Sequence, residues 1–130
     1  AEKERAQLRD TANRIPDSAL FGGSGLESAR TVVTVAGVVL DARIADARRQ
    51  NDAAIAAWTN AVAAVDRLPY DEPPVWFYPV RESLGAALLQ LFMQSGWLTL
   101  PNDSRALQLT ATGQRELHRF AKETELEMAL

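Results

Sequence analysis

Residues Leu26 to Gln50 read LESARTVVTVAGVVLDARIADARRQ, and the way this stretch folds decides the class of the whole chain. Its first half carries Thr31, Val32, Val33, Thr34, Val35, Val38 and Val39, β-branched side chains that suit a buried strand. Its second half is rich in helix formers, and Leu40, Ile44 and Ala47 fall at helical spacing. Length arbitrates. The stretch continues from Leu26 to Gln50 without a proline, longer than ordinary strands, so a helix is expected to run through the valines. Asn51 and Asp52 mark the turn that ends it. Ser24, in the glycine-rich loop Gly22-Gly23-Ser24-Gly25, is placed to cap its start.

Working outward, Asp52 to Leu68 places Ala54, Ile55, Trp58, Ala61, Val62 and Val65 at three- and four-residue steps. This predicts an amphipathic helix with Asp52 as its N-cap and Pro69 as its stop. Upstream, Ala1 to Ile15 carries a sparse apolar stripe (Ala6, Leu8, Ala12, Ile15) that predicts a short helix ended by Pro16, followed by a loop over Asp17 to Gly25. Downstream, Tyr70 to Pro79 holds three prolines and four aromatic residues and reads as an extended connector. A helix from about Pro79 to Ser95 follows, with Val80, Leu84, Ala87, Leu88, Leu91 and Phe92 on one face. After Gly96 the period changes: Trp97 to Leu100 and Arg105 to Thr110 predict two short strands around Pro101 to Ser104. A last helix is expected from about Thr112 to Leu130.

Composition bounds the function. Of 130 residues, 47% are hydrophobic, enough for a core, and the longest apolar stretch, Val32 to Leu40, is too short to span a bilayer. No signal peptide is visible, so a cytoplasmic, non-membrane protein is the expectation. The absence of cysteine and the single histidine, His118, leave no thiolate or imidazole cluster, so neither a metal nor a cofactor is expected. A formal charge of -3 argues against nucleic acid as the main partner.

Two resemblances meet in the helix after the connector. Ala42 and Ala45, then Ala54, Trp58 and Ala61, place small, large and small residues where paired helices must approach closely, and Leu84, Gly85 and Leu88 would open another such pair. This resembles the tetratricopeptide repeat (TPR). In that pattern Leu88 stands where an aromatic is usual, and Arg49 stands where glycine is expected before the turn. The run Tyr70-Asp71-Glu72-Pro73-Pro74-Val75-Trp76-Phe77-Tyr78-Pro79-Val80-Arg81-Glu82-Ser83-Leu84-Gly85, with Phe21-Gly22-Gly23-Ser24-Gly25-Leu26 upstream, is similar to the signature of a group of bacterial TPR proteins. From Leu88 to Phe120, Gly96-Trp97-Leu98, Ser104-Arg105-Ala106-Leu107-Gln108-Leu109-Thr110 and Gly113 are similar to the wing and closing helix of an ArsR-like winged-helix transcription regulator. The chain thus reads as a mosaic, natural or constructed: a TPR-like helical region over residues 1–89, and a β-hairpin plus terminal helix over 90–130 packed with it as one compact domain. The fold class expected is mainly α, TPR-like helical hairpins with a small C-terminal two-stranded β-hairpin and a closing helix.

The TPR resemblance implies a non-enzymatic protein–protein interaction or scaffold module. Tyr70, Trp76, Phe77, Tyr78 and Arg81 are its candidate partner-binding residues, the aromatics as a recognition patch and Arg81 for a carboxylate. The alternative use of the same residues is structural, with the rings filling the gap between helical hairpins and Arg81 paired with Asp71, Glu72 or Glu82. The winged-helix resemblance offers Asn102, Ser104 and Arg105 as DNA contacts, yet residues 90–130 carry four cations against five anions. No catalytic residue is assigned: Asp71 and Glu72 read as a solvated turn, His118 as a surface residue, and the Gly23-Ser24-Gly25 loop lacks the strand a phosphate-binding turn needs. A repeat stack this short leaves a face of the Pro79 to Ser95 helix open, to be covered by a homodimer or by the last helix.

Overall fold

A computed structural model of the chain describes residues 2–21, 27–70, 74 and 76–128, with side chains through residue 123. The fold is mainly α, with five helices and two small antiparallel β-pairs among the described residues. The chain divides into two compact units, residues 1–87 and 88–130.

In the first unit, α1 (Glu2–Arg14) is followed by β1 (Leu20–Phe21), β2 (Glu27–Ser28), α2 (Ala29–Ala47) and α3 (Asn51–Val65). The valine run is helical, and Val32, Val35, Val39, Ala42 and Ala45 form its buried stripe. The helix starts at Ala29 because Glu27 and Ser28 pair with Phe21 and Leu20 and Ser28 then caps it, its Oγ accepting from the Arg30 N–H at 3.2 Å. The loop expected over residues 17–25 therefore contributes a strand at Leu20–Phe21; Ser24 and the rest of residues 22–26 lie outside the described residues.

The turn between α2 and α3 closes the last helical turn with two bonds, Arg49 N–H to Asp46 O at 2.9 Å and Gln50 N–H to Ala45 O at 3.1 Å. This Schellman closure needs a left-handed residue, and Arg49 supplies it at φ 56°, in the position where glycine is usual. Because the closure ends at Gln50, the N-cap position of α3 falls on Gln50, without a side-chain cap bond. Asp52 lies inside the first turn and is not the N-cap that its residue type suggested.

Across this turn the two helices pack through Ala54, Trp58 and Ala61 of α3 against Val39, Ala42 and Ala45 of α2, all buried. Alanine at four of these positions lets the backbones approach, and the indole of Trp58, 1% exposed, fills the space between them. Its Nε1–H donates to Asp46 Oδ2 at 2.7 Å, so the ring's one polar atom is satisfied. Val80 and Ala87 of α4 (Val80–Gln94) complete this core. Gly85 does not make a close approach there: it is exposed, with no atom within 4 Å of where a Cβ would stand.

The second unit takes up the end of α4, β3 (Leu98–Thr99), β4 (Gln108–Leu109) and α5 (Ala111–Met128). Here glycine does occupy the left-handed position: Gly96 has φ 69°, Trp97 N–H reaches Phe92 O at 2.9 Å, and the Phe92 and Trp97 rings stack at 5.2 Å. Leu98 pairs with Leu109 and Thr99 with Gln108. Thr110 caps α5, its Oγ1 accepting from the Gly113 N–H at 3.0 Å while its hydroxyl donates to Gly96 O at 2.6 Å.

Candidate partner-binding site

The connector between α3 and α4 divides its aromatic residues by the two-residue period of an extended chain. Trp76 and Tyr78 are half-buried against the core that Trp58 anchors, and Phe77 between them is 74% exposed. The Tyr78 ring stacks on Trp58 with centroids 6.0 Å apart, the Arg43 guanidinium lies over it 4.5 Å from the centroid, and its hydroxyl is 2.8 Å from Ser83 Oγ. The hydrogen bond with Ser83, and then Arg43, hold the Tyr78 phenol below the ordinary tyrosine value of 10.0. Trp76 Nε1 is buried with no acceptor among the described residues. An unsatisfied buried donor costs about 1–3 kcal/mol, so this nitrogen is a standing demand for a carbonyl or carboxylate oxygen.

At the start of the connector Tyr70 is 80% exposed. Arg81, in the first turn of α4, pairs with Asp66 at the end of α3, with Nη2 at 2.7 Å from both carboxylate oxygens. Asp66 is a partner that the sequence did not suggest for Arg81; of the expected partners, Asp71 and Glu72 lie outside the described residues, as do Pro73 and Val75. The five predicted residues therefore fall into two roles. Trp76 and Tyr78 are anchored rings; Tyr70 and Phe77 face solvent, with Arg81 at 65% exposure near the helix junction. Arg43 and Ser83, which fix Tyr78, were not anticipated, since neither belongs to a local motif.

In the second unit the turn residues Asn102 and Arg105 are exposed, whereas Ser104 is folded inward, its Oγ 3.0 Å from the Ala106 N–H that it accepts. On α5, Arg115, His118, Arg119 and Lys122 share one exposed face at helical spacing and line a surface groove of about 520 Å³ with Gln114; Arg119 is paired with Glu116 at 2.5 Å. The whole-chain charge had concealed this basic stripe, which only the helix register reveals. Among the described residues no group of three or more His, Cys, Asp or Glu side chains could hold a metal ion, and no helix is long and apolar enough to cross a membrane.

No family model matches the chain, and neither the curated proteins nor the solved structures include a significant match to it.

Proposed function

We propose that the chain is a non-enzymatic protein–protein interaction module of TPR type, and that a protein or peptide partner docks on the connector at Tyr70, Phe77 and the rim formed by Arg81. The observation that supports this most directly is Phe77, held in solvent between two rings that the core fixes. An exposed aromatic on an anchored backbone loses little entropy on binding, the property of an interface hot spot. Arg81 would contribute by exchanging Asp66 for a partner carboxylate.

Screening immobilised peptides against the chain, then measuring affinities of the binders for Phe77→Ala and Tyr70→Ala, tests the reading. Loss of tenfold or more in affinity, at unchanged helicity, is expected for a true anchor. Binders indifferent to both substitutions, or a screen without binders, would rule the connector out.

The basic face of α5, taken with exposed Asn102 and Arg105 in the β3–β4 turn, favours a second reading as a DNA-binding winged-helix (ArsR-like) remnant. Titration against mixed duplexes then has to show affinity that falls steeply as salt rises. Absence of binding at low salt removes this reading.

A further inference from the structure

α1 is fastened to the rest of its unit by different physics from α2 and α3. Of its thirteen residues none is buried; Leu8 and Ala12, half-buried, make its apolar contact. Its side-chain polar links to α2 are ionic: Asp41 meets Arg5 Nε at 2.5 Å and Arg9 Nη2 at 3.0 Å, and Glu2 meets Arg48 Nη2 at 2.6 Å. The Arg9–Asp41 and Glu2–Arg48 pairs join side chains 30% to 60% exposed, so each is weak and screened by salt; Arg5 Nε and Asp41 Oδ1 are buried and meet without hydrogen-bond geometry, so their pair is screened less and lacks the strength of a well-aligned bond. Grooves open on both flanks of α1. One of about 290 Å³ runs between Leu8 and Ala12 and the α2 residues Val33, Gly37 and Val38, and one of about 210 Å³ lies beside Arg5 and Arg48. At the C-terminal end of α1 the chain is pinned: Arg30 donates to Ile15 O, from Nε at 3.1 Å, and pairs with Asp17 at 2.6 Å.

We propose that α1 is an electrostatically latched strap, which swings away from α2 about the anchored Ile15–Asp17 corner and uncovers the apolar strip Val33, Gly37 and Val38 while the α2–α3 hairpin stays folded. The hairpin has its own buried core around Trp58 and does not draw on α1 for it. A detached thirteen-residue helix is marginal in water, so undocking also melts α1. Access to the strip is thereby set by ionic strength, and by any partner that competes for Asp41. This device is independent of the connector and of what binds there.

Amide hydrogen exchange on the whole chain tests the strap. Raising NaCl from about 0.05 M to about 1 M is expected to lower protection of the α1 amides about tenfold, with α2 and α3 unchanged. Asp41→Asn, which removes two of the three pairs, is expected to produce the same loss at low salt and to blunt the response to further salt. Arg48→Gln, which breaks the third, is the second variant and is expected to give a smaller loss in the same direction. Exchange of α1 and α3 amides at one common rate in both salts, or protection of α1 that ignores salt, would overturn the strap and make α1 an integral part of the hairpin's cooperative unit.

Discussion

Replacing Trp58 by phenylalanine isolates the bond that joins the core of the first unit to its surface. The substitution keeps an aromatic ring against Tyr78 but deletes the Nε1–H that donates to Asp46 Oδ2 at 2.7 Å. Hydrogen bonds to charged groups contribute about 1.5–3 kcal/mol, and because Asp46 is exposed and recovers water when released, the low end, about 1.5 kcal/mol, applies. The smaller ring leaves space in a site only 1% exposed, adding about 1 kcal/mol. The sum, about 2–3 kcal/mol, is a large share of the stability of a single unit, and for 87 residues it corresponds to a fall in Tm of about 8–20 °C. Urea unfolding followed by far-ultraviolet circular dichroism gives the number, and a cycle with Asp46→Ala separates the bond from the cavity, with a coupling of about 1–1.5 kcal/mol expected. Trp58→Phe within 0.5 kcal/mol of the parent, or strictly additive single effects, would show that the indole acts by volume alone.

Other substitutions probe the glycines and the connector. Gly37→Ala in the middle of α2 is expected to stabilise by about 0.5–1 kcal/mol, because the added methyl meets only Leu8 Cδ2 at 3.9 Å, an ordinary contact; a lower urea midpoint would refute this. Gly113→Ala places a methyl on the Trp97 carbonyl oxygen, which is held just before β3 by the Thr110 N–H, and is expected to cost about 2 kcal/mol or more, read as loss of the Phe92–Trp97 near-ultraviolet dichroism. Tyr78 is expected to ionise below the ordinary tyrosine value in a 295 nm titration, and Tyr78→Phe to remove that early phase. Since the folded value lies below the unfolded one, ionisation of Tyr78 adds stability as pH rises from the folded value towards about 10, and that increment is lost as pH falls back through it.

The helices were legible because their signals repeat over many residues. In α2 the buried positions Val35, Val39 and Ala42 lie four and three apart, so the β-branched composition was overruled by length and spacing. What escaped was local. Leu20–Phe21 and Glu27–Ser28 are pairs of two residues, too short to show any period, and their pairing is what moves the start of α2 to Ala29. Asp52 has the chemistry of an N-cap, but the closing bonds of α2 decide where α3 begins. In the connector, residue type identified the aromatic cluster without saying which rings point inward; the alternation Trp76, Phe77, Tyr78 held that information, because an extended segment sends neighbouring side chains to opposite sides. Tyr78 and the partners that fix it, Arg43 on α2 and Ser83 on α4, come from three separate segments, which only the fold brings together.

The ends of α2 and α4 carry the same pair of backbone bonds with different residues at the left-handed position, arginine at 49 and glycine at 96. An L-residue with a Cβ resists that conformation by about 1 kcal/mol, so the α2–α3 turn opposes its own closure until Trp58 is seated. In kinetic terms this slows nucleation at the turn by about fivefold if the penalty is paid in full. The expected transition state assembles first from the helix faces at Val39, Ala42, Ala54 and Trp58, with the turn closing late, so Arg49→Gly is expected to slow unfolding more than it accelerates folding.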